Sequence, residues 1–171
     1  MVGFTRISSK LESKILIDEL NEIFTAFDDI MEFNDCDRIK TIGDAYLAVG
    51  GMTEKSKNHA YKIVRAATQM IEYLKKRNQT SPISWTIRVG IHSGSLVGGV
   101  VGVKKYIYDV FGDTVNTASR METNSEEMKI NISDVTYQLV KNDFTFIERE
   151  TTEIKGKDLM KMWFVVTNSI D

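Results

Sequence analysis

The sequence predicts an α+β domain with a central, mostly antiparallel sheet flanked by helices. Three observations lead there. Apolar residues recur at helical spacing over two long stretches, and β-branched or aromatic runs bounded by turn residues lie between and after them. Several of these runs are close enough in sequence to pair as hairpins, which interrupts any regular parallel alternation.

At the start, Met1-Val2-Gly3-Phe4-Thr5 has the form of a strand end turning through glycine into a helix. Leu11, Ile15, Leu16, Leu20, Ile23, Phe24, Phe27, Ile30 and Met31 follow at helical spacing, with Glu12, Asp18, Glu19 and Glu22 facing elsewhere. They predict one long amphipathic helix. Residues 37–50 read as a β-hairpin, because two β-runs meet at Gly43-Asp44 and a Gly/Asp pair between such runs is a strong turn signal. A polar loop over 52–58 leads to a second helix over 59–77, with Ile63, Ala66, Ala67, Met70, Ile71 and Leu74 as its apolar stripe. His59, in its first turn, is expected at the surface, since a lone histidine lacks the clustering a metal site requires.

The only proline, Pro82, marks a break before a strand over 84–92. Ser93-Gly94-Ser95 then turns the chain into a glycine-studded strand over 96–102. A P-loop would need a following Lys-Ser or Lys-Thr, so close backbone packing is the expected use of these glycines. A strand over 106–111 leads into a helix over 114–122, with Asp113 expected to cap it. A short strand over 129–132 and a short helix from Ser133 to about residue 140 come next. The tail pairs a β-run over 144–154 with another over 159–166 across Lys155-Gly156-Lys157-Asp158.

At 171 residues, 42% apolar and 27% charged, the chain has the size and composition of one globular domain with a substantial core. A net charge of −2 with both signs interspersed gives no sign of an extended nucleic-acid or membrane surface, so any phosphate binding is expected to be local. The single cysteine, Cys36, excludes an internal disulfide framework and suits a reducing, cytoplasmic setting, with packing as its expected role. There is no signal-peptide pattern and no apolar run long enough to span a bilayer, which leaves membrane or sensor elements to other segments of a longer protein.

Three segments carry the chemistry. They are the glycine turn at Met1-Val2-Gly3-Phe4-Thr5, the hairpin bearing Lys40 and Asp44, and the stretch from Tyr106 through Asp109, Gly112-Asp113, Asn116 and Arg120 to Glu122. Together, and in this order, they resemble the catalytic domain of the class III nucleotidyl cyclases, the adenylyl and guanylyl cyclases. The resemblance runs from Met1 to about Val166 and implies the ferredoxin-like class III cyclase fold. It implies an enzyme that turns ATP into 3′,5′-cyclic AMP and pyrophosphate in intracellular signalling. The ribose 3′ oxygen attacks the α-phosphorus, and positioning with charge neutralisation carries most of such chemistry.

By this resemblance Asp44 is one of two metal aspartates that hold two Mg²⁺ or Mn²⁺ ions per site, with the main-chain carbonyl of Met1 a further ligand. The other aspartate is implied immediately before Met1. The segment over 1–171 is then one catalytic domain beginning just after its first strand, with impaired activity alone. The amides of Gly3, Phe4 and Thr5 are implied to face the β- and γ-phosphates. Lys40 and Asp109 are implied to read the base. The chemistry agrees, since a lysine donates to adenine N1 and an aspartate accepts from the N6 amino group. Guanine presents O6 and N1–H, and a mispaired buried polar group costs about 1–3 kcal/mol, about tenfold to over a hundredfold.

Asn116 and Arg120 lie at i and i+4 and share a helix face, the former implied to orient the ribose and the latter to stabilise transition-state charge. Without the neighbouring motif they read as a surface pair. Arg88 and Lys157 match further phosphate contacts, although Asp158 stands where a glycine is common. In the family the metal half and the base-and-arginine half of a site come from different subunits, so one chain with both implies a homodimer. The alternatives are a guanylyl cyclase, against which Lys40 and Asp109 speak, and a catalytically silent, nucleotide-binding regulatory domain. A diguanylate cyclase lacks support, because its Gly-Gly-(Asp/Glu)-Glu-Phe signature is absent.

Overall fold

The computed structural model describes residues 1–52, 58–102, 107–153 and 159–167. The chain forms two compact units, Met1–Ile87 and Arg88–Asp171.

In the first unit Gly3 adopts the left-handed conformation, φ 66°, and opens a five-residue helix α1 (Phe4–Ser8). A second helix, α2 (Ser13–Phe33), follows, so the single expected helix is preceded by a separate turn of helix. Its buried residues Ile23, Phe27 and Met31 repeat every four positions, while Ile15 and Ile17 toward its start are exposed. Strand β1 (Cys36–Ile42) pairs antiparallel with β2 (Ala45–Gly50), and Gly43 at φ 60° makes the turn. The hairpin rests on helix α3 (His59–Thr80), which also packs on α2. His59 opens α3 and is half-buried against Gly51, where a Cβ would stand 2.7 Å from its own. It is therefore less of a surface residue than its isolation in sequence suggests.

The strand expected over 84–92 is much shorter than its β-rich sequence predicts, forming only as β3 (Val89–Ile91) in the second unit. Upstream of it, the fully buried Trp85 has its backbone bonded to a side chain instead of a neighbouring strand. Its N–H donates to Asn78 Oδ1 at 3.1 Å and its C=O accepts from Asn78 Nδ2 at 2.8 Å. Its indole donates to Glu19 Oε2 at 2.7 Å, the oxygen that also accepts from Arg77 Nη2 at 2.8 Å. Arg77 further reaches both oxygens of Glu22, Ser81 Oγ and the Ile83 carbonyl, so one buried guanidinium fastens α2, α3 and the segment beyond α3.

In the second unit β4 (Val97–Val101) and β5 (Ile107–Phe111) form an antiparallel arm, followed by helix α4 (Asp113–Thr123). Strand β6 (Ile130–Ser133) leads directly into helix α5 (Asp134–Val140), whose N-cap Ser133 accepts from the Thr136 amide as the sequence suggests. The tail supplies β7 (Phe146–Glu148), β8 (Thr152–Glu153), β9 (Leu159–Met160) and β10 (Met162–Val165). The four-stranded sheet has the order β3-β6-β10-β7, with β3 parallel to β6 and the other pairs antiparallel. Strands β8 and β9 pair separately, and the expected connection over 154–158 lies outside the described residues.

Two expectations need correction here. Gly112 is the N-cap of α4 and Asp113 its first residue, so Asp113 sits in the first turn, where a carboxylate favours the helix start by its charge. Gly99 is not a close-packing site within its unit. A Cβ there would meet nothing within 4 Å, and Val97, Val100, Val101, Ile107 and Phe111 around it on the arm are exposed.

Candidate active site

The first unit holds Met1, Gly3, Phe4, Thr5, Lys40 and Asp44. A helix start leaves its first amides without intrahelical acceptors, and here these include Phe4 and Thr5 after the left-handed Gly3. With only five residues, α1 adds little dipole, so the amides themselves are what this turn can offer an anion. The turn is held by the Val2 amide, which donates to the Thr86 carbonyl at 2.8 Å, and by Phe4 against the Trp85 ring, centroids 6.0 Å apart.

Asp44 follows the hairpin turn and is brought to Met1, whose backbone nitrogen lies 2.7 Å from its Oδ2 and 3.3 Å from its carbonyl oxygen. Class III cyclases use divalent cations, and hard cations take carboxylate and carbonyl oxygens. Two such ions need more acidic ligands than Asp44 alone. Among the described residues no three His, Cys, Asp or Glu side chains converge, so these residues do not by themselves complete a metal centre.

Lys40 lies beside a β-bulge that has no signature among the neighbouring residues. Arg38 pairs with Ala48 and Lys40 with Leu47, which leaves Ile39 as the extra residue. Bulges re-aim the side chains that follow them. The hairpin is braced by Asp28 of α2, which accepts from Tyr46 Oη at 2.7 Å and pairs with Arg38 at 3.0 Å. Burial first, and then the Asp28 carboxylate, push the Tyr46 hydroxyl well above its ordinary range, so it remains a neutral donor.

The second unit holds Arg88, Asp109, Asn116 and Arg120, while Lys157 lies outside the described residues. Asp109 is half-buried on β5 opposite Gly99, and its Oδ1 accepts from the Val110 amide at 2.9 Å. Gly99 thus leaves space beside Asp109 where a larger residue would stand. On α4, Asn116 is exposed and Arg120 half-buried, one turn apart. The Arg120 guanidinium has no hydrogen-bond or ion-pair partner among the described residues. Arg88 instead pairs with Glu122 at 3.0 Å, an exposed contact worth little in stability.

The family description "Adenylate and Guanylate cyclase catalytic domain" matches residues 1–167. The soluble guanylate cyclase gcy-35 of Caenorhabditis elegans is 37% identical over 175 residues, covering 98% of this chain and 25% of that protein. The germination-specific adenylate cyclase of Dictyostelium discoideum is 39% identical over 171 residues, covering 97% of this chain and 20% of its own. The chain thus spans a quarter or less of the length of these relatives. Among solved structures, the guanylate cyclase domain of RhGC from Catenaria anguillulae in complex with GTP superposes with a TM-score of 0.93 at 38% identity, over 98% of this chain and 92% of that one. Matching architecture, site segments in order and identity along nearly the whole length place this chain in the adenylate and guanylate cyclase catalytic domain family, with the class III cyclase fold.

Proposed function

We propose that the chain is the catalytic domain of an adenylyl cyclase, converting ATP to 3′,5′-cyclic AMP and pyrophosphate. The relatives divide between ATP and GTP enzymes, so overall likeness does not choose the base. The observation that carries the choice is the pair Lys40 and Asp109, a donor for N1 and an acceptor for the N6 amino group of adenine.

In this reading the amides of Gly3, Phe4 and Thr5 take the β- and γ-phosphates, and Arg88 and Lys157 add positive charge to the triphosphate. Asn116 orients the ribose so that the 3′ oxygen approaches the α-phosphorus in line. The new bond joins that oxygen to phosphorus, the bond to the bridging oxygen of pyrophosphate breaks, and the 3′ hydroxyl proton is lost. Charge grows on the phosphoryl oxygens during this step. Arg120, held on a helix and free of competing carboxylates among the described residues, is suited to that charge.

Mg²⁺ or Mn²⁺, two ions per site, supplies charge neutralisation when bound, with Asp44 and the Met1 carbonyl among its ligands. The site is shared across a homodimer, one protomer giving the hairpin carboxylate and its partner the base and arginine groups. The apolar arm around Val97, Val100 and Ile107, exposed on the single chain, is consistent with burial against a second copy.

The test is exchange of the base-reading pair for the acid and cysteine common in guanylyl cyclases. Lys40→Glu with Asp109→Cys is expected to reverse the preference between ATP and GTP, measured as the ratio of kcat/KM. An unchanged ratio would remove these residues from base recognition.

A further inference from the structure

The two polar groups assigned to the reaction on α4, Asn116 and Arg120, reach substrate only if the helix sits at one depth on its sheet. Two residues outside the site set that depth. Gly90, in the middle of β3, faces the last turn of α4 with no side chain between them. A Cβ there would collide with the Glu122 amide nitrogen and lie 2.5 Å from both Glu122 Cα and the Met121 carbonyl carbon. Those backbone atoms cannot swing aside as a side-chain tip can, so alanine would push the helix back by about 1 Å.

Asn131 acts on the same turn from β6. Fully buried, it donates from Nδ2 to the Met121 carbonyl at 2.8 Å, and its Oδ1 has no partner among the described residues. An amide half-satisfied in a closed core is a poor device for stability alone, whereas its donor pins a carbonyl one residue beyond Arg120. Near the other end, Thr114 Oγ1 donates to the Ser95 carbonyl at 2.6 Å, so the helix is fixed at both ends and its depth is set by Gly90 and Asn131.

We propose that Gly90 and Asn131 are positioning residues of the cyclase reaction, holding α4 at the depth that presents Arg120 to the α-phosphate and Asn116 to the ribose. This rests on the reading of α4 given above. A displacement of about 1 Å in a catalytic group costs on the order of a hundredfold in rate. The loss should fall on kcat, because the base and terminal-phosphate contacts that set nucleotide affinity are not on this helix.

The experiment is a double-mutant cycle on the whole chain, with circular dichroism to verify folding. Gly90→Ala is expected to lower kcat about 100-fold and Asn131→Ala about tenfold, each with KM within about threefold. In an Asn116→Ala/Arg120→Ala background the same substitutions should cost less than about threefold, since neither polar group is left to misplace. A purely structural role would instead multiply through, so full losses in both backgrounds overturn the proposal, as would a raised KM with unchanged kcat. If Gly90→Ala does not fold, Asn131→Ala decides alone by the same criteria. Should Arg120→Ala by itself cost nothing, the assignment of α4 to the reaction fails, and the positioning role with it.

Discussion

Arg120 is half-buried, one turn beyond Asn116, and has no carboxylate partner among the described residues. A guanidinium kept for charge that develops late should matter for the rate and little for ground-state binding. Arg120→Ala is therefore expected to lower kcat by about a hundredfold or more with nucleotide affinity little changed. Single-turnover kinetics with a binding titration separates the two, and near-normal turnover would return Arg120 to a surface helix role. Cys36 makes the opposite case, a chemically capable group kept inert. Burial, with Asp37 and Asp35 adding to it against Lys62, pushes its thiol up to about 11 from an ordinary value near 9.0. The native state thus holds the proton more tightly than the unfolded chain, and the stability this confers is complete below pH 9 and lost as pH rises from 9 toward 11. Urea unfolding across that window should show a decline that Cys36→Ala flattens, and native Cys36 should resist alkylation at pH 8.

At the scale of elements, the clasp formed by Arg77, Glu19, Glu22 and Trp85 holds the first unit's helices to the segment that seats the glycine turn. The side chains of Arg77 and Glu19 are only 6% and 13% exposed, so removing the arginine strands a carboxylate in a nearly dry site. Arg77→Ala is expected to cost about 3–5 kcal/mol, against less than about 1 kcal/mol for Lys62→Ala, whose partner Asp35 is largely in water. Equal midpoint shifts in chemical denaturation would contradict the clasp. This pair of cases also marks what the sequence made legible. The hairpin was readable because Gly43-Asp44 is a local signal, and the shared face of Asn116 and Arg120 follows from helical period alone. The clasp was not, because Glu19, Arg77 and Trp85 are distant in sequence and each reads singly as an exposed charge or a strand aromatic. The bulge at Ile39 leaves no mark in composition, and within the β-rich run over 84–88 the Trp85 backbone is bonded to the Asn78 side chain, a contact distant from any strand signal.

For the molecule as a whole, family membership rests on architecture and identity along the chain, whereas the proposed choice of adenine rests on two side chains. Those two lie in different units, Lys40 in the first and Asp109 in the second. No helix among the described residues is long and apolar enough to cross a membrane. The most direct measurement is product identity: kcat/KM for ATP and for GTP, each with Mg²⁺ or Mn²⁺, with cyclic AMP and cyclic GMP resolved and quantified. Adenine recognition by Lys40 and Asp109 predicts cyclic AMP as the main product, with a preference of about tenfold or more over GTP. Equal or greater formation of cyclic GMP would contradict it.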